Sequence, residues 1–196
     1  MGSESGALIV SSIEESIRVK QALLEDKRLL GQIGDVVKEF VSALRSGHKV
    51  LLFGNGGSAA DAQHIAAEFV GRFQMERTPL PALALTVNTS ALTGIGNDYA
   101  YENVFSRQIE ALGVAGDVAV GISTSGKSPN VLNGLAVAKA KGLVTVALTG
   151  SFGSKMQEVS RHCLCVPSDA TPRIQESHIL IGHIISQITE MELFGG

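Results

Sequence analysis

Five short apolar runs, KVLLFG (49–54), ALALTV (82–87), DVAVGIS (117–123), VTVALTG (144–150) and HCLCVP (162–167), recur after residue 48 of this chain, each separated from the next by a stretch of helical character. Runs that are apolar at nearly every position suit strands buried on both faces, and such strands joined through helices form a parallel sheet. The expected fold is therefore α/β: a three-layer, doubly wound, five-stranded parallel sheet. Helices are expected over 58–73, 102–112, 129–141, 154–160 and 172–193, the last with Thr171 as N-cap and Pro172 as its first residue. Two helices should precede the sheet. Ser12 and Glu15 have the spacing of a capping box that opens the first, and a second periodic stretch runs from Leu29 to Gly47. The 196 residues fall in the size range of one domain, and no linker or low-complexity segment interrupts them. The reading is a single domain, 1–196, with N-terminal helices over 1–47 and an α/β core over 48–196.

Composition removes several classes of function. With 44% apolar and 18% charged residues the chain is too apolar to stay disordered. Its net charge of −3, without a basic block, lacks the footprint of a nucleic-acid binder. No apolar run approaches the roughly 18 residues of a membrane span, and the start MGSESGALIVSSIEES has acids where a secretory signal has lysines, so a cytoplasmic protein is expected. Cys163 and Cys165 stand two apart in a strand-like run, on one face, and read as reduced thiols, with a metal site alongside His162 as the alternative.

In a doubly wound sheet the ligand lies beyond the carboxyl ends of the strands. The loop after the first run, GNGGSAAD (54–61), fits the dinucleotide fingerprint at Gly54, Gly56 and Ala59, but the second run ends in Thr86-Val87-Asn88 with no acid to hold a ribose. No nucleotide cofactor is expected. The loop after the third run fits a P-loop at Gly121, Gly126, Lys127 and Ser128, yet Ile122 and Ser123 read as strand and Pro129 removes an N–H where the helix begins. What remains is a phosphate cradle, or an ordinary Ser-rich capping turn: Ser123, Thr124, Ser125 and Ser128 bring hydroxyls and backbone N–H groups to a helix N-terminus. Gly96-Asn97-Asp98 offers polar groups for sugar hydroxyls, or for a simple turn.

His64 and Glu68 stand at i and i+4 on the helix after the first loop and share a face. Gln175 and His183, at i and i+8 on the last helix, lie about 80° apart, whereas His178 lies about 140° round from His183. If the two faces meet at the rim of the sheet, they offer either nitrogen and oxygen ligands of the kind zinc accepts or a Glu–His acid–base couple. With a phosphate loop beside them, the pattern suits a sugar-phosphate enzyme.

The segments GNGGSAADAQHIAAEF, GIGNDY, DVAVGISTSGKSPN and RIQESHILIGH together resemble the sugar isomerase (SIS) family, in its bacterial phosphoheptose isomerase branch, from about Ile13 to Leu193. The resemblance implies a flavodoxin-like SIS sheet and a homotetramer with active sites at subunit interfaces. It implies conversion of sedoheptulose 7-phosphate to D-glycero-D-manno-heptose 7-phosphate, a precursor of the lipopolysaccharide core. Carried over by position, Glu68 is the base acting between C1 and C2 and His183 the acid at the oxygens. His64, Glu68, Gln175 and His183 match a zinc site, one ion per active site. Asn55, Gly56, Gly57, Ser58, Glu68, Asn97, Asp98, Ser123, Thr124, Ser125, Ser128 and Gln175 match substrate contacts. The sequence departs from many relatives at Asn88 and at Thr171-Pro172. The family also contains other sugar-phosphate enzymes and a non-catalytic member that binds a replication initiator; the latter lacks the residues matching Glu68 and His183, and this chain has both.

Overall fold

The computed structural model describes residues 3–151 and 154–195. Two helices, α1 (Ser3–Glu25) and α2 (Lys27–Arg45), precede the alternating part of the chain, and Asp26 separates them by accepting the Leu29 N–H at 3.0 Å as N-cap of α2. There follow β1 (Val50–Gly54), α3 (Gly57–Val70), β2 (Ala82–Ala84), α4 (Thr89–Tyr99), a 3₁₀ turn (Tyr101–Asn103), α5 (Ser106–Leu112), β3 (Val118–Ser123), α6 (Pro129–Ala140), β4 (Val144–Thr149), α7 (Ser154–Val159), β5 (His162–Cys165) and α8 (Thr171–Phe194). The five strands form one sheet, all parallel, in the order β2-β1-β3-β4-β5. This is the expected three-layer α/β architecture.

Alternation along the strands divides the core in two. Leu52, Val120, Ile122, Val146, Leu148 and Leu164 face one side and pack with α2, α3 and α8. Leu51, Phe53, Ala119, Ala147 and Cys163 face the other and pack with α5 and α6. Burial on both faces explains why β1 and β3 read as continuous apolar runs.

Several local expectations fail for identifiable reasons. The Ser12–Glu15 pattern does not open a helix, since α1 runs through it; instead Arg173 donates to the Ser12 carbonyl at 2.7 Å and pairs with Glu15 at 3.3 Å, docking α8 on α1. The 58–73 helix stops at Val70, and 102–112 divides into the 3₁₀ turn and α5. The Gly96-Asn97-Asp98 loop is part of α4, which sequence reading missed; Asn88 caps it by accepting the Ala91 N–H at 3.0 Å, as an aspartate could. Finally, α8 begins one residue early: Ala170 is its N-cap and Thr171 its first residue.

On α8, Ile174, Ile181 and Ile185 are buried, with Leu180, Ile188 and Met191 exposed. More of the exposed apolar side chains belong to α1 than to any other element: Leu8, Ile9, Val10, Ile13, Ile17 and Leu24.

Candidate functional site

The loop from β1 into α3 depends on absent side chains. Gly56, with φ of +55°, takes a left-handed conformation open to glycine, and a Cβ on Gly57 would collide with the Gln175 amide. Gln175 thereby reaches from α8 to the N-terminal turn of α3. Further along the two helices, Gly182 lies against Ile65, where a Cβ would clash with the isoleucine side chain. This close approach of α8 to α3 brings the next residue, His183, to the face that carries His64 and Glu68.

Three donor atoms converge there. His64 Nε2 lies 3.0 Å from His183 Nε2 and 3.1 Å from Glu68 Oε1, and His183 Nε2 lies 3.9 Å from the same oxygen. A tetrahedral ion with bonds of about 2.0–2.1 Å spans donor-to-donor edges of about 3.3 Å, so these separations fit a zinc-sized cation. The set is also one that zinc accepts, two imidazoles and a carboxylate. Glu68 is mostly covered while the His64 side chain is 54% exposed, so the cluster faces outward. A surface cavity of about 730 Å³ lies elsewhere, between α2 and α8 around Val41, Arg45 and Ile188.

Sequence reading did not single out Asp61, one turn before His64. Its Oδ2 is buried with no hydrogen-bond partner among the described residues, and burial pushes its carboxyl up to about 6, against a smaller pull from His64. The signal was available, because Asp61, His64 and Glu68 share one helical face. His178 is separate, as expected: fully buried, its Nε2 3.2 Å from the Thr149 carbonyl, and pushed down to about 4 by burial.

The second loop of interest begins where β3 ends at Ser123, so Ile122 and Ser123 are strand rather than the start of a P-loop. Gly126, at φ +65°, closes the turn by donating to the Ser123 carbonyl at 3.1 Å, and the Ser123 and Ser128 hydroxyls meet at 3.0 Å. Ser125 accepts from the Lys127 N–H at 3.3 Å, and the Thr124 carbonyl accepts from Gly150. Ser128 is the N-cap of α6, yet its side chain makes no capping bond among the described residues. Hydroxyls and the first N–H groups of α6 thus share one turn, the arrangement that binds phosphate.

Buried Asn130, also missed, ties the two loops together. Its amide and that of Asn55 exchange hydrogen bonds at 2.8 and 2.9 Å, and the Tyr101 hydroxyl donates to Asn55 at 3.4 Å. Ser58 is buried in the first turn of α3, its N–H on the Asn55 carbonyl. Among the described residues no hydrogen bond brings Asn97 or Asp98 to either loop; they bond to each other, exposed, at the end of α4. Cys163 and Cys165 are free thiols, and His162 turns to the opposite face, 3.3 Å from Glu39, so these three residues do not gather round one point.

A SIS-domain model matches residues 13–150 of the chain. Over 187 residues, 95% of this chain and 96% of the relative, the sequence is 56% identical to a phosphoheptose isomerase of Sulfurimonas denitrificans. A solved structure of phosphoheptose isomerase from Neisseria gonorrhoeae superposes with a TM-score of 0.88 at 42% identity, covering 94% of this chain and 98% of that one. One from Francisella tularensis gives 0.91 at 38% identity, covering 95% and 98%.

Proposed function

Because the chain belongs to the SIS-domain family, among the phosphoheptose isomerases, we propose that it interconverts sedoheptulose 7-phosphate and D-glycero-D-manno-heptose 7-phosphate through an enediolate. The observation that carries the reading is the convergence of Glu68 with two imidazoles where α3 and α8 face each other. A hydrogen next to a carbonyl is a weak acid, so its removal needs a positioned base and a partner for the developing oxyanion. Glu68 takes the proton from one carbon and returns it to the next, while His183 supplies and recovers a proton at the oxygens. The Ser123–Ser128 turn holds the phosphate and fixes the far end of the sugar, and the loop from Asn55 to Ser58 lines the path between. Asn97 and Asp98 remain candidates for hydroxyl contacts.

His64, Glu68, Gln175 and His183 would hold one zinc ion per active site, and when bound such an ion polarises the carbonyl as a Lewis acid. A Glu68 that ligated the ion would not be free as a base at the same instant, so its two proposed roles compete. Metal analysis of untagged protein should find zinc, diminished in His64→Gln.

The exposed apolar face of α1 and the outward-facing site support a homotetramer whose active sites are completed at subunit contacts, and we infer that it works in the cytoplasm. No helix among the described residues is long and apolar enough to cross a membrane. A monomer by light scattering at micromolar concentration would overturn the assembly. The activity itself is tested by incubating the protein with sedoheptulose 7-phosphate in D₂O. Heptose 7-phosphate should form, with deuterium next to the carbonyl wherever the base exchanges with solvent. Binding without conversion would instead point to a non-catalytic member of the family.

A further inference from the structure

Beyond the His64–Glu68–His183 cluster, α3 and α8 are joined by a second polar assembly that the proposed chemistry does not use. Glu190 lies seven residues after His183, about two turns along the same face of α8. Its side chain and that of Arg77 are each 2% exposed, with Glu190 Oε1 3.0 Å from Arg77 Nε. The carboxylate also accepts the backbone N–H groups of Phe73, Gln74 and Met75 at 3.1, 2.8 and 2.9 Å. Arg77 in turn closes the end of α3: Nη1 donates to the carbonyls of Phe69, Gly71 and Thr78, and Nη2 to that of Glu68 at 2.7 Å. One ion pair therefore grips the backbone of Glu68 and the helix of His183 together. Phe73, fixed by the same loop, stacks on the His183 imidazole with ring centroids 5.5 Å apart and planes at 27°.

We propose that Arg77 and Glu190 are positioning residues for proton transfer, and that they act through Phe73, whose ring holds the His183 imidazole in line with Glu68. The proposal rests on the isomerase reading above. An ion pair that serves folding alone would change stability and leave the rate per folded molecule untouched. Loss of a positioning assembly lowers kcat and spares KM, because the proposed phosphate cradle, the Ser123–Ser128 turn, is not part of it, whereas small misplacements of reacting groups are costly.

Phe73→Leu leaves the ion pair in place and removes the stacking ring. It should lower kcat at least fivefold, with KM within twofold of wild type and an unfolding temperature close to it; Phe73→Tyr, which restores a ring, should recover most of the rate. Arg77→Lys keeps a cation opposite Glu190 but loses the fork on the α3 carbonyls, and should lower kcat at least tenfold in its folded fraction. If Arg77→Lys does not fold, the two Phe73 variants decide. Wild-type kcat in Phe73→Leu, a loss confined to KM, or an equal loss in Phe73→Tyr overturns the proposal. Wild-type protein that fails to turn over the sugar phosphate overturns the isomerase reading itself, whereas active wild type with indifferent variants removes only the positioning role.

Discussion

Two aspartates at opposite ends of the sheet show how differently those ends are built. Asp117, at the amino end of β3, is fully buried and completely engaged: it accepts the Lys49 N–H at 3.0 Å, the Lys49 ammonium at 2.6 Å and the Val114 N–H at 2.9 Å. Burial pushes its carboxyl up, but Lys49 and the two backbone N–H groups together hold it below the usual range. Asp61, at the carboxyl end, carries a buried oxygen with no partner among the described residues and is pushed up by burial to about 6. Where every lone pair is used, the group serves the fold; where one is left unused beside exposed imidazoles, the group is available for chemistry.

That contrast is tested first, and with the largest effect, on the α3 face that Asp61 shares with His64 and Glu68. Glu68→Gln and His183→Gln should each lower kcat about 10²–10⁴-fold, without additivity in the double variant and with little change in unfolding temperature. Near-wild-type turnover by Glu68→Gln would remove the base. Asp117→Ala should do the reverse: it leaves Lys49 and two N–H groups unpaired and should cost about 3 kcal/mol, or about 6–12 °C in unfolding temperature, with kcat per folded molecule unchanged. A loss of rate there would erase the distinction between the two ends.

Acid should separate them next. His178 binds a proton near 6.5 when unfolded and only near 4 when folded, so stability falls as pH drops between those values, by on the order of 3 kcal/mol if fully expressed. Asp61 works the other way, since its raised value stabilises the fold as pH falls from about 6 towards 3.8. The contribution of Asp117, depressed in the fold, is lost only as pH falls below 3.8. Thermal unfolding between pH 7 and 4.5 should therefore fall more steeply in wild type than in His178→Gln, and parallel slopes would discount His178. Smallest is the phosphate loop. Replacing Ser125 and Ser128 by Ala should raise KM for the sugar phosphate roughly 3–10-fold, since a hydrogen bond to a charged group contributes about 1.5–3 kcal/mol at most and backbone N–H groups remain. An unchanged KM would move the phosphate elsewhere.

β1 and β3 were legible because they are buried on both faces and end in small or polar residues; Val50–Gly54 and Val118–Ser123 differ from the sequence reading by one residue at one end, whereas partly exposed β2 covers only Ala82–Ala84 of the 82–87 run. α4 was not, because none of its own residues is buried and two glycines interrupt TSALTGIGNDY, leaving no apolar period to read. Within the site, His64 and Glu68 were legible from spacing alone, as neighbours on one helical face. Their meeting with His183 was only conditional in the sequence, since it depends on Gly182 admitting Ile65, a contact across 117 positions. Arg77 and Glu190 leave no local trace, being an ordinary charge in a loop and another on a helix until the fold encloses them.

Seen in folding time, the site is assembled in two instalments. His64 and Glu68 meet as soon as one turn of α3 winds, a local event of the kind completed within microseconds. His183 reaches them from 119 residues away, after the sheet has provided a surface on which α8 can settle. Turnover is thus a readout of long-range docking rather than of secondary structure: a partly unfolded chain with α8 detached would keep most of its helices and strands and half of its site, and be inert.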